Sequence, residues 1–304
     1  MRLPDTQGWW PPAALVACGW LVAALVASWA GEAADASSWQ LLLNQAVLLP
    51  AAVLAVYDVG RRLGGLWLGV WFGVVLLVLP LVGWAYALPA YRDTFRDRVL
   101  VEAVGAAAGG RFAAGALSAV AAALLLRALQ ERGWILPLAA GVAAGLAIVV
   151  EPAACLFVIG AVLGCAVARR FDVLAVLAAP VVVGGVIALL ARDAGIGLDV
   201  SWDAFSANMA GLREYTWSNR VLQWLPIAGT IGLARRSWTA AALFGGWVGA
   251  FALAEAASAD RPVESGAFFL AFLPALPGLA VLVAAIPLLV PGLPARLAAA
   301  TARA

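Results

Sequence analysis

The chain has no histidine, and all 19 of its basic residues are arginine. Without imidazole there is no His-ligated metal centre and no His general base, so acid–base and binding chemistry fall to carboxylates and guanidiniums. Charge is scarce too, at 12% of 304 residues. No basic tract has the length that nucleic-acid binding needs, and neither G-x-G-x-x-G nor a G-K-S loop occurs. Soluble enzymes, nucleic-acid binders and metalloenzymes are thereby set aside. The three cysteines, Cys18, Cys155 and Cys165, lie inside apolar runs without metal-ligand spacing and read as small packing residues. "LVAC" at Leu15 to Cys18 imitates a lipoprotein cleavage box, but too little apolar sequence precedes it, so this run reads as a retained anchor.

Apolar sequence fills the space that charge leaves. Hydrophobic residues make up 65% of the chain, and the mean hydropathy is +0.98, more apolar surface than one water-soluble core can bury. The expected fold is all-α: one polytopic transmembrane helical bundle over 1–304, with short outer interfacial helices. Apolar runs against charged breaks predict about ten spans, at 12–30, 41–58, 66–87, 112–128, 135–150, 153–168, 173–191, 221–235, 237–254 and 267–290. The stretch 135–168, broken only at Glu151 and Pro152, is either two short spans or one re-entrant element.

Arginine placement sets an expected orientation. With both termini cytoplasmic, the inner side carries eleven arginines against four acids and the outer side eight against thirteen, a partition of +7 and −5. Trp9, Trp10, Trp29, Trp39, Trp84, Trp134, Trp217 and Trp238 fall near span ends, where indoles anchor in the headgroup layer. Gly65/Gly69/Gly73, Gly141/Gly145, Gly160/Gly164 and Gly245/Gly249 repeat every four residues, as closely packed helix faces do.

Against this partition, "YRDTFRDRVLVE" (Tyr91 to Glu102) concentrates arginine on the outer side. As a helix it lines up Tyr91, Phe95 and Val99, sets Arg92 and Arg96 beside them, and turns Asp93 and Asp97 away; Glu102 interrupts the apolar side. Arg92, Arg96 and Arg98 suit a lipid phosphate, for which the guanidinium fork is fitted, with Asp93 or Asp97 as the nearby carboxylate. A solvated interfacial helix with its charges mutually neutralised is the alternative. "SWDAFSANMAGLREYTWSNR" (Ser201 to Arg220) mixes aromatic and polar side chains, so Trp202, Arg213 and Glu214 are sugar-binding or interfacial candidates. Glu264 borders the same outer side, and Glu151 ends an apolar run, where an ionisable group is costly.

"LLLNQAVLLPAAVLAVYDVGRRLGGLWLGVWFGVVLLVLP", "LPLAAGVAAGLAIVVEPAACLFVIGAVLGCAVARR" and "SGAFFLAFLPALPGLAVLVAAIPLLVPGL" together resemble the GT-C superfamily of integral-membrane glycosyltransferases. The resemblance implies a bacterial inner-membrane enzyme that moves a sugar from a polyprenyl-phosphate donor to an envelope acceptor on the outer face, with inversion. By position it implies Asp35 or Glu32, in the first outer loop, as the base, and Arg92, Arg96 or Arg98 at the donor phosphate. This chain departs from the superfamily in a short first loop reading E-x-x-D, and in Glu151 where relatives often have a basic residue. Two routes then stay open: a compact enzyme that uses Asp93 and Asp97 instead, or a relative without catalysis. No cofactor is implied with certainty and a divalent cation is left open. Membrane lipid and the donor are the expected partners, with a membrane-protein partner if the chain is a scaffold; a small-solute or lipid transporter is the third option.

Overall fold

The computed structural model describes residues 10–31, 38–107, 109–191, 201–259 and 262–292. Among them there is no strand, only helices and one isolated bridge between Ala87 and Thr216. Eleven helices follow one another: α1 (Trp10–Ala30), α2 (Trp39–Gly64), α3 (Leu66–Tyr86), α4 (Gly110–Gln130), α5 (Ile135–Val150), α6 (Phe157–Ala168), α7 (Phe171–Ala191), α8 (Trp202–Tyr215), α9 (Asn219–Ala234), α10 (Trp238–Ala256) and α11 (Ala267–Leu289). Between α3 and α4 a helical cap segment covers 89–103. Seven of these helices, α1 to α4, α7, α10 and α11, are long and apolar enough to cross a bilayer, so the chain is a multi-pass membrane protein. Each of the ten apolar runs has become a helix; α5 and α9, at 16 residues, span about 24 Å, short of a full hydrocarbon core.

Helix α4 is the hub, with 67% of its most apolar window buried, whereas α7 buries 22% and presents most of its length outward. Alanine makes this centre possible: Ala114, Ala121, Ala122 and Ala128 are fully buried on α4 and let α2, α5 and α11 close around it. The 135–168 stretch is two helices with different partners, α5 lying between α4 and α7 and α6 against α10. Glycine permits both contacts. A Cβ on Gly184 would strike the main chain of Gly145, and one on Gly160 would lie 2.7 Å from the Trp247 nitrogen. In the other two repeats Gly69, Gly73 and Gly245 are close-packed against Tyr57, Leu15 and Thr230, while Gly65, at φ 87°, makes the left-handed turn between α2 and α3 and Gly249 faces open space.

The helix ends sort by charge. Arg62 bonds Asp58 at 2.8 Å and Glu131 at 3.3 Å, Arg236 donates to the Leu63 carbonyl and Arg235 to that of Leu289, tying the ends of α2, α4, α9 and α11 together. Among the described residues this end holds eight arginines and three acids, and the opposite end six arginines and eight acids.

The cap segment lies at the acidic end and dips into the bundle. Val99 through Ala106 are all buried, and irregular backbone at such depth requires every polar group to be satisfied. Asn44 and Gln45 do this from a π-helical turn of α2 (Asn44–Leu48): Asn44 Nδ2 donates to the Gly105 carbonyl at 3.2 Å and Gln45 Nε2 to that of Val104 at 2.8 Å. Gly105, at φ 72°, supplies the left-handed turn that ends the dip.

Candidate functional site

The cap begins where α3 ends. Leu88 donates to the Tyr215 carbonyl at 2.9 Å and Trp217 to that of Tyr86 at 3.3 Å, so the chain emerging from α3 is clasped by the end of α8. Tyr91 stacks on Tyr215 with centroids 4.6 Å apart, and Phe269 of α11 packs on both Tyr215 and Phe95. Burial, and then Tyr91, push the Tyr215 phenol up to about 12, so it is a structural hydroxyl at neutral pH.

The cap arginines are engaged with the protein. Arg92 donates to the carbonyls of Ala87 and Ala85 at 3.1 and 3.2 Å, closing the C-terminal end of α3, and lies over the Trp84 ring at 5.6 Å. Arg96 bonds Asp97 through two nitrogens, at 2.6 and 3.1 Å, reaches Asp93 at 3.2 Å, and covers Trp29 at the end of α1. Arg98 donates to the Ser265 carbonyl at 3.3 Å, fastening the cap to the turn before α11. Asp93 is 83% exposed, a rim carboxylate, and Asp97 is half-buried against Arg96.

Phe95 and Val99 face inward as the helical spacing predicts, and Glu102 follows them in. Its side chain is 8% exposed. One carboxylate oxygen accepts from the Arg111 main-chain N–H and the other from the Arg111 guanidinium, both at 3.3 Å, so Glu102 closes the N-terminal turn of α4 as well as forming an ion pair. Gly109 makes room for it: any Cβ there would overlap the carboxylate. The next glycine, Gly110, brings α4 against Val150 at the end of α5, which sets Glu151 within electrostatic range of Glu102. Burial raises the Glu102 pKa; Arg111 lowers it by charge and hydrogen bonding, Glu151 adds a small rise, and the balance stays above the ordinary glutamate value.

The other candidates spread out. Trp202, Arg213 and Glu214 are on the exposed side of α8, whose inward row is Ala204, Asn208, Leu212 and Tyr215; Asn208 donates to the carbonyls of Ala256 and Ser258, both at 3.1 Å, pinning α8 on α10. Glu264 is exposed on the turn that Arg98 holds. Glu32 and Asp35 lie outside the described residues. What the structure brings together is thus Glu102, Arg111 and Glu151, while Asp93, Asp97, Arg92, Arg96 and Arg98 form a separate rim cluster and Trp202, Arg213, Glu214 and Glu264 stand apart from both. Sequence reasoning did not place Glu102 or Arg111 in a site, although Glu102 stands on the apolar side of its helix. It also passed over Glu255, a fully buried carboxylate at the end of α10.

Next to Glu102 in the chain, Ala103 and Val104 line an apolar space of about 40 Å³ with Phe112, Leu76 and Leu273. Among the described residues no three His, Cys, Asp or Glu side chains are grouped as a metal ion would need. Chemically, the assembly offers a buried carboxylate of raised proton affinity facing a partly exposed guanidinium. No family model, curated protein or solved structure matches the chain.

Proposed function

We propose that the chain is a membrane-embedded glycosyltransferase of the GT-C kind, transferring a sugar from a polyprenyl-phosphate donor at the acidic, outer end of the bundle, with the arginine-rich end and both termini on the cytoplasmic side. The observation that carries this is the Glu102–Arg111 pair: a carboxylate held away from water, of raised proton affinity, beside a guanidinium that is 30% exposed. Glu102, or Asp35 or Glu32 of the first loop, takes the proton of the acceptor hydroxyl as its oxygen bonds to the anomeric carbon. The bond from that carbon to the phosphate oxygen breaks on the opposite face, and the polyprenyl phosphate leaves with the electron pair. Arg111 is the guanidinium best placed to meet the leaving phosphate, because it stands beside the Glu102 carboxylate and commits only one nitrogen to it, whereas Arg92 and Arg96 each commit two within the protein and Arg98 is turned to the Ser265 carbonyl.

That same engagement favours a second function, a non-catalytic membrane scaffold in which Glu102 serves only to close α4. Sugar transfer from a radiolabelled polyprenyl-phosphate sugar, measured with the full chain in lipid nanodiscs, separates the two. Glu102→Gln, Glu32→Gln, Asp35→Asn, Asp93→Asn and Asp97→Asn are compared singly. Loss of about 10²-fold or more in kcat in one of them, with its melting temperature kept, supports the enzyme. Equal turnover in all five removes the catalytic assignment, and no turnover in the wild type favours the scaffold.

A further inference from the structure

The basic end of the bundle carries a site unrelated to the cap. Where the loop before α5 meets the start of α7, a groove of about 540 Å³ opens, walled by Pro137, Val173 and Val176 and rimmed by Arg132, Trp134 and Arg170. The two guanidiniums differ. Arg170 uses Nε and Nη2 on Asp172, at 2.9 Å each, leaving one nitrogen uncommitted among the described residues. Arg132 is exposed and has no ion pair or side-chain hydrogen bond among the described residues. Trp134 is 63% exposed with its indole at the groove edge, and Ile135 beside it is equally bare.

We infer that this groove seats the headgroup of an anionic phospholipid, its phosphodiester between Arg132 and Arg170 and its acyl chains along the outward faces of α5 and α7. Charge complementarity selects the occupant. The groove retains net positive charge after Asp172 is counted, and it stands at an end where arginines outnumber acids eight to three among the described residues. Basic pockets between helix ends on the arginine-rich side fit anionic headgroups, and an indole at headgroup depth fits the glycerol-ester layer. The apolar continuation distinguishes a lipid from a free anion: Val142 and Leu146 on α5 and Val182, Val186, Ile187 and Leu190 on α7 are exposed, an apolar surface that acyl chains can cover and a free anion cannot use. Asp172, whose charge Arg170 offsets, adds little net attraction for the ammonium of a zwitterionic headgroup.

The test is native mass spectrometry of the full chain, titrated in detergent with phosphatidylglycerol or phosphatidylcholine. Phosphatidylglycerol should be retained in preference. Arg132→Gln should weaken its retention about fivefold, and Arg132→Gln with Arg170→Gln about 25-fold, at roughly one such factor per arginine. Arg220→Gln, which removes the same charge from an exposed position at the other end, should leave retention unchanged. Melting curves verify that the surface variants remain folded. Equal retention of the two lipids, unchanged binding in the double variant, an equal loss in Arg220→Gln, or displacement of the lipid by millimolar inorganic phosphate would each overturn the assignment.

Discussion

The Glu102 carboxylate bridges the main chain and the guanidinium of Arg111, 3.3 Å from each, across the glycine-rich turn that leads from the cap into α4. Burial outweighs Arg111 in setting its proton affinity, so the folded state holds the Glu102 proton more tightly than the unfolded chain does. The group's contribution to stability is therefore most favourable below the ordinary value of 4.5 and declines as pH rises from there to the folded-state value. Glu102→Gln lacks that decline. Melting temperatures of the two proteins in the same detergent should diverge in the variant's favour as pH climbs from about 4.5, and divergence in the wild type's favour contradicts this account. Arg111→Gln leaves the carboxylate facing no cation and should destabilise by about 2 kcal/mol at neutral pH, less than for a fully buried pair because Arg111 is partly exposed.

Gly109 tests the same joint sterically. A methyl group there occupies the position of the Glu102 carboxylate, which must swing away and release Arg111. Gly109→Ala should thus cost about 2 kcal/mol by loss of the capping and ion-pair contacts, and should add little in a Glu102→Ala background, where the obstruction is gone. An additive double variant in thermal unfolding would show that the two residues do not share one space.

Asn44 and Gln45 hold the deepest carbonyls of the cap. Asn44→Leu strands the Gly105 carbonyl in an apolar setting and should destabilise by about 1–2 kcal/mol. Amide exchange at residues 104–106 should quicken in this variant while exchange in α10 stays slow. Uniform acceleration throughout the bundle would mean that the contact supports the whole fold and not the dip alone.

Much of this was legible in the sequence, for reasons that also mark the limit. An apolar run needs no partner to declare itself, so the run 135–150 coincides with α5, and the row Tyr91, Phe95, Val99 marks the inward side of the cap, where Phe95 and Val99 are buried. A polar residue in such a run is equally visible, yet its partner is not: nothing in "LLLNQAVLLP" says that Asn44 reaches Gly105, 61 residues on. The same gap separates Glu102 from Arg111, since only the fold of "GAAAGG" decides that the two face each other. Trp202, Arg213 and Glu214 combine aromatic and charged character, but an amphipathic helix turns such residues outward. Asn208 and Tyr215, on the other face of α8, carry its contacts.

Arg92 separates a structural guanidinium from a ligand-binding one. Its Nε and Nη2 satisfy the carbonyls of Ala87 and Ala85 at the end of α3, and its plane lies over Trp84, which in turn meets Trp29 edge-on at 4.5 Å. A lysine has one nitrogen where arginine has a fork and cannot serve both carbonyls while covering the ring. Arg92→Lys should therefore lower stability by about 1 kcal/mol, and Arg92→Gln by slightly more. The deficit should be the same with and without added polyprenyl phosphate, because these contacts exist in the free protein. If the lipid phosphate stabilises the wild type and fails to stabilise Arg92→Lys in thermal unfolding, then Arg92 leaves the α3 carbonyls to hold that phosphate, and the cap rim, not the Glu102–Arg111 pair, becomes the place where the donor binds.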